Sequence, residues 1–133
     1  MTSPTLSSIL LASTDPERLH AWYTVALPPQ TNTRDEGYHV LGYGGFHLFI
    51  DSRSDVGASN PEPGRVILNF EVDDARAAAG RVDALGTAWL AQIEDRDGSL
   101  FGTVIDPDGN YVQIIQLSAE HRAAMAGSSA TVG

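Results

Sequence analysis

One pattern occurs twice in the 133 residues and constrains the fold more than any other feature. A short apolar segment, "TLSSILLAS" or "RVILNFEV", is followed by a helical pattern and then by two or three further strand-like segments. The copies are separated by residues 52–64, "SRSDVGASNPEPG", whose Pro, Gly and polar side chains are typical of a surface linker. The sequence predicts a single α+β domain, residues 1–133. It has two βαβββ units at about 5–51 and 65–117, and a C-terminal helix and tail at 118–133.

A unit of this kind covers only one face of its sheet. Its helix shields that face, and the other face has no covering element within the unit. Two units side by side would form a curved mixed sheet with a concave cleft. We therefore expect the functional residues on the face opposite the helices.

Both helices carry clear start signals. Thr14 or Asp15 can cap the first helix, and Pro16 suits its first turn. Asp73 or Asp74 can cap the second helix, which ends near a glycine. The first helix also has an apolar stripe at helical spacing, which predicts a buried face: Leu19, Trp22, Tyr23 and Ala26.

Composition excludes several classes of function. The formal net charge is -9, with eight basic residues, all of them Arg. An acidic chain of this kind repels nucleic acid and anionic lipid, so we expect neither as a partner. No apolar run is long enough to cross a bilayer, and the N-terminus lacks the basic segment of a secretion signal, so we expect a cytoplasmic protein. The absence of cysteine rules out disulfides, thiolate metal sites and a cysteine nucleophile.

The chain contains the segments "STDPERLHAWYTVAL", "NFEVDDARAAAGRVDALG" and the closing hairpin "GTVIDPDGNYVQIIQL". These three segments resemble the vicinal oxygen chelate superfamily, which includes glyoxalase I, extradiol dioxygenases and bleomycin-resistance proteins. The resemblance covers roughly residues 6–117. It implies the glyoxalase/bleomycin-resistance/dioxygenase fold, whereas the activity stays open because the superfamily hosts several chemistries on one scaffold.

The resemblance also implies four metal-ligand positions, which fall near Ser8, His47, Ile67 and Gln113. The segments "HLFI" from residue 47 and "QIIQ" from residue 113 are expected to occupy equivalent positions, each after the last turn of its unit. Only His47 has a side chain suited to a divalent transition metal, because hydroxyl, alkyl and neutral amide groups are poor ligands. We therefore expect no metal and no other cofactor.

His47 has two interpretations. It is either a hydrogen-bonded wall residue, or a general base or hydrogen-bond donor to a ligand with Gln113 and Glu71 beside it. His39 could also point into the cleft, because strand parity is not fixed beside two glycines. His20 is expected either to face solvent or to pack at the edge of the first helix, without an acid partner. Strand alternation gives the predicted ligand-binding set: Ser8, His47, Phe49, Ile67, Asn69, Glu71, Tyr111 and Gln113.

Two functions from different classes follow. The first is a protein that binds an aromatic or polyketide-like small molecule, as bleomycin-resistance proteins do. The second is a lyase, isomerase or dioxygenase that acts through His47 or through an unlocated metal. A third possibility is an assembly surface without a ligand. We also expect a homodimer, since the clefts of this superfamily often form at a dimer interface.

Overall fold

The computed structural model describes residues 2–131, including the side chains of residues 2–126. Two compact units are present, Met1–Asn60 and Pro61–Gly133. Each has the predicted order of one strand, one helix and three strands, and the second unit adds a C-terminal helix.

The first unit is a four-stranded mixed sheet with one helix. The strands lie in the order β1-β4-β3-β2, where β1 pairs with β4 in parallel and the other two pairings are antiparallel. Its elements are β1 Ser8–Ser13, α1 Pro16–Ala26, β2 Thr31–Asp35, β3 Tyr38–Tyr43 and β4 Phe46–Ser52.

Local chemistry positions α1 as the sequence predicts. The Asp15 side chain accepts a hydrogen bond from the Arg18 N–H at 3.2 Å, which caps the first turn ahead of Pro16. The predicted apolar stripe is confirmed, since all four of its members are buried. The stripe lies against the side of the sheet that carries Leu48 and Ile50, which are also buried.

The second unit repeats this topology in the order β5-β8-β7-β6, again with one parallel pairing, between β5 and β8. Its elements are β5 Leu68–Glu71, α2 Ala75–Ala84, β6 Ala88–Arg96, β7 Ser99–Ile105, β8 Tyr111–Gln116 and α3 Ala119–Thr131. The C-terminal helix expected within residues 118–133 is α3, which continues to Thr131 and so includes most of the segment "GSSATVG" where we expected a tail. The last part of that prediction, residues 132–133, lies outside the described residues.

The start of α2 is held by two side chains. Asp74, one of the two predicted caps, accepts from the Ala77 N–H at 3.0 Å. Gln116 at the end of β8 accepts from the Ala75 N–H at 2.8 Å, so the first amide of α2 is also satisfied. Gly86 follows the helix with a φ of 72°, a conformation that favours glycine.

The turn between β7 and β8 is built around Asp106, which is 3% exposed. Its carboxylate accepts from the N–H groups of Asp108 at 2.9 Å and Asn110 at 3.0 Å. These bonds add to two backbone bonds within the turn, from the Asp106 N–H to the Asn110 carbonyl and from the Gly109 N–H to the Asp106 carbonyl, each 2.9 Å. The turn signal "DPDGN" therefore fixes where β8 begins.

Among the described residues, no helix combines the length and the apolar character needed to cross a membrane.

Candidate functional site

The two faces of the first sheet differ in what covers them. Leu48 and Ile50 are 2% and 0% exposed beneath α1, and the residues that alternate with them point away from that helix. We call the side of this sheet that faces away from α1 the first open face. Its members, read from the strand pairing, are Ser8, Leu10, Ala12, Thr31, Thr33, Asp35, Tyr38, Val40, Gly42, His47, Phe49 and Asp51.

The second sheet has the same asymmetry. Val112 and Ile114 are fully buried on the α2 side, and their neighbours along β8 point to the other side. We call that surface the second open face. Its members on three strands are Asn69, Glu71, Phe101, Thr103, Ile105, Tyr111, Gln113 and Ile115. Ile67 lies one residue before β5 and is 42% exposed.

The strand register corrects one part of the sequence analysis, beginning with the first unit. Ser8 pairs with His47, and Leu10 pairs with Phe49. Leu10 lies five residues before the helix cap Asp15, which gives a reference point for comparing the two units.

In the second unit, Asn69 lies five residues before the cap Asp74 and pairs with Gln113. Gln113 is therefore equivalent to Phe49. The expectation that His47 and Gln113 occupy matching places is wrong by two residues. Because the error is an even number, it leaves His47 on the same face.

The corrected positions do not suit a divalent metal. The four equivalent places hold Ser8, Phe49, Ile67 and Gln113, which offer a hydroxyl, a phenyl ring, an alkyl chain and a neutral amide. Within the described part of the chain, no group of three His, Asp or Glu side chains could hold a metal ion. These residues therefore do not fit the metal centre that the resemblance implies.

Polar side chains on the helix-facing sides of the sheets have partners within the protein. Trp89 Nε1 donates to Asp83 of α2 at 2.7 Å, which places this ring against the helix. The fully buried Ser99 hydroxyl hydrogen-bonds the His121 ring and accepts from the Ser118 N–H at 2.8 Å. These groups hold the helices to the sheets.

Polar side chains on the open faces behave differently. No hydrogen bond to another described residue is made by the side chains of Ser8, His47, Asn69, Thr103 or Gln113. Their donors and acceptors are therefore available to a molecule that contacts these faces. Aromatic rings lie among them: Tyr38 and Phe49 meet edge to face with centroids 6.1 Å apart, and Arg96 lies 5.3 Å from the centre of the Phe101 ring.

His39 does not lie on the open face, contrary to one of the options that the sequence left open. It is 7% exposed on the α1 side, with Nε2 2.8 Å from Glu17 Oε1. The same oxygen accepts from Arg34 Nη2 at 2.7 Å. The hydrogen bond from His39, reinforced by Arg34, lowers the pKa of Glu17.

His20 joins this cluster. Its ring stacks on that of His39 with centroids 3.9 Å apart, and its Nε2 lies 2.9 Å from Asn32 Oδ1. Both histidines therefore belong to the contact between α1 and the sheet. His39 pairs with the buried Ile50, which places both residues on the α1 side of the sheet. This pairing could not be predicted, because the sequence does not reveal the register of β3.

Two βαβββ units, each with a parallel pair of first and last strands and one open sheet face, form the architecture that the resemblance to the vicinal oxygen chelate superfamily implied. The chain belongs to the glyoxalase-like domain family, whose sequence profile matches residues 8–115. Among curated proteins, none matches the sequence significantly.

Solved structures with the same fold include three with informative names. The fosfomycin resistance protein FosX from Mesorhizobium loti is 17% identical with a TM-score of 0.70, and the match covers 92% of this chain and 99% of FosX. A glyoxalase/bleomycin resistance protein/dioxygenase from Nocardioides is 18% identical with a TM-score of 0.65, covering 90% and 87%. Oxidase ChaP-H2 is 19% identical with a TM-score of 0.72, covering 88% and 96%. At these identities the likeness shows the fold.

Proposed function

We propose that this protein binds a small molecule, aromatic or polyketide-like, on its open sheet faces and sequesters it without a divalent metal. The contrast in hydrogen bonding carries this proposal. Polar groups that face the helices, such as Trp89 Nε1 and the Ser99 hydroxyl, are partnered within the protein, whereas the side chains of Ser8, His47, Asn69 and Gln113 have no hydrogen-bond partner among residues 2–126. A surface that mixes unpaired polar groups with aromatic rings is typical of ligand-binding sites.

The names of structural neighbours support a small-molecule ligand. FosX is named for resistance to fosfomycin, and the Nocardioides protein is named in part for bleomycin resistance. The acidic charge of this chain supports the same proposal, because it disfavours nucleic acid and anionic membranes as alternatives.

A ligand screen followed by thermal denaturation tests the proposal. A ligand at about 100 times its Kd stabilises the folded protein by about 2.7 kcal/mol. Phe49→Ala removes an aromatic surface from the first open face and Gln113→Leu removes an amide from the second, so we expect at least one of them to weaken the stabilisation. Val25→Ala, at an exposed position on α1, is the control and should leave it unchanged. The proposal fails if no compound stabilises the protein, or if neither substitution reduces the effect.

Catalysis through His47 is a second candidate. Its imidazole is exposed, has no partner among the described residues, and lies beside Ser8 in the strand pairing. A general base needs an accessible ring of this kind. If a bound compound is converted to a product that mass spectrometry detects, and His47→Ala stops the conversion while binding persists, the protein is a lyase, isomerase or dioxygenase rather than a binder.

Two further parts of the proposal have direct tests. Elemental analysis of the purified protein should find no stoichiometric Zn, Ni, Fe or Mn, and finding one would overturn the metal-free assignment. We also propose a homodimer, which light scattering measures. A mass of one chain at all concentrations would refute it.

A further inference from the structure

The first open face changes character along its strands. Cross-strand pairing divides it into rows that run across the sheet, and each row is two residues from the next. Successive rows lie about 6–7 Å apart along the strands, and neighbouring strands lie about 4.8 Å apart. The three rows carry hydrogen-bond donors, apolar groups and carboxylates, in that order.

The donor row contains Ser8, His47, Gly42 and Thr31 on four adjacent strands. Gly42 has a specific role in it. A Cβ on this residue would overlap the hydroxyl oxygen of Thr31, and the Thr31 Cβ would be only 3.4 Å away. Because Gly42 has no side chain, the Thr31 hydroxyl on β2 lies over Gly42 on β3. The next strand, β4, carries His47. Two hydroxyls therefore flank one imidazole, and the row contains no carboxylate.

The middle row is mainly apolar. Leu10, Phe49 and Val40 occupy three adjacent strands, β1, β4 and β3, and Leu10 is 43% exposed. The Phe49 ring is held at a right angle to the Tyr38 ring. This row offers a contact surface for an aromatic or aliphatic group.

The third row is acidic. Asp51 and Asp35 lie on either side of Tyr38 in the pairing. Arg53 follows this strand, and its guanidinium is bound by Asp55 through two contacts of 2.9 and 2.6 Å. The hydrogen bonds and charge of Asp55, with a smaller contribution from the charge of Asp51, raise the pKa of Arg53, so its direct contacts are with Asp55 rather than with Asp51.

We infer that the first open face binds an elongated small molecule with an oxyanion group at one end, an apolar or aromatic middle and a cationic group at the other. Ser8, His47 and Thr31 donate to the oxyanion, and Asp51 and Asp35 attract the cation about 13 Å away along the strands. This inference rests on the proposed small-molecule binding and deepens it by naming the class of ligand.

Three probes of one shape test the end groups by titration calorimetry. The zwitterion 4-(4-aminobutyl)benzoate has both charges, 4-butylbenzoate lacks the ammonium and 4-phenylbutylamine lacks the carboxylate. We expect the zwitterion to bind about two- to fivefold more tightly than either truncated probe, since a solvent-exposed charge contact contributes up to about a factor of five.

Substitutions assign each end to its row. Thr31→Val should weaken the two carboxylate probes about threefold and leave 4-phenylbutylamine unchanged. Gly42→Ala should act in the same way, because the new methyl group displaces the Thr31 hydroxyl. Asp51→Asn should weaken only the two ammonium probes. Asp73→Asn makes the same change of charge at an exposed position outside the first open face, and should affect no probe.

The outcomes separate this inference from the proposed function. Equal affinity for all three probes, or no binding of the zwitterion at millimolar concentration, overturns the ligand class even if other compounds stabilise the protein. Selective losses in the expected pattern support it. If no compound of any class stabilises the protein, the proposed function itself fails.

Discussion

Gln113 and Gln116 lie on the same strand and face opposite sides of the sheet, so they test whether the open faces are free for function. Gln116 accepts from the Ala75 N–H at 2.8 Å, and Ala75 is fully buried. Gln113 is half-buried and makes no side-chain hydrogen bond to the described residues. The same substitution, Gln→Leu, removes the same amide at both positions, so any difference between the two variants comes from the surroundings of each residue.

The expected cost at Gln116 follows from the amide it satisfies. A buried N–H left without an acceptor costs about 1–3 kcal/mol. Partial burial of the leucine side chain offsets roughly 0.5–1 kcal/mol of that. Gln116→Leu should therefore lower the free energy of unfolding by about 1–2 kcal/mol, and lower Tm by about 4–8 °C for a chain of this size. Gln113→Leu breaks no hydrogen bond and should change stability by no more than about 0.5 kcal/mol.

Urea denaturation followed by circular dichroism measures both variants. Gln116→Glu is the control, since its carboxylate keeps an acceptor at the positive end of α2 and should restore stability. Gln113→Leu should instead weaken ligand binding in the thermal-shift screen. If Gln113→Leu destabilises the protein as much as Gln116→Leu, the open face has a structural role and the reasoning from unpaired groups is refuted.

Three other predictions concern contacts outside the open faces. Because the His39 hydrogen bond lowers the pKa of folded Glu17 below its ordinary value of 4.5, this contact stabilises fully above about pH 4.5 and progressively less as pH falls through the folded pKa; Glu17→Gln should therefore destabilise more at pH 7 than at pH 3, and an equal difference at both would contradict this. Ser99→Ala removes the buried hydroxyl that binds His121, so hydrogen exchange should show α3 opening more readily, and unchanged protection there would argue against the contact. Asp106→Ala removes the side chain that closes the last turn and should cost about 2–4 kcal/mol in urea denaturation, whereas a loss under 1 kcal/mol would show that the turn closes without it.

Much of the fold could be predicted because its signals are local. Asp15 and Asp74 cap the helices, and each is one of the two caps that the sequence predicted for its helix. Alternation along β4 and β8 separates buried from open positions, since each strand places successive side chains on opposite faces. These signals were sufficient for the order of elements and for the face on which His47 and Gln113 lie.

The register between strands could not be predicted, because it depends on pairings distant in sequence. The positive-φ glycines at 44 and 45 end β3, so counting along the hairpin did not fix the direction of His39. Counting from the turns matched His47 with Gln113, whereas counting from the helix caps through the pairing matches Gln113 with Phe49. An error of two residues preserves the face and changes the equivalent position.

That distinction bears on the site. Phe49, rather than His47, is in the place equivalent to Gln113. His47 is therefore not at one of the four expected metal-ligand positions, and it lies in a row with Ser8 and Thr31. There it has hydroxyl neighbours on both sides and no carboxylate partner, which suits donation of a hydrogen bond better than the holding of a cation. The same two-residue correction places His47 outside the four equivalent positions and in the row that we propose binds an oxyanion. Gly42 leaves room for the Thr31 hydroxyl in this row, so the Gly42→Ala substitution tests that proposal directly.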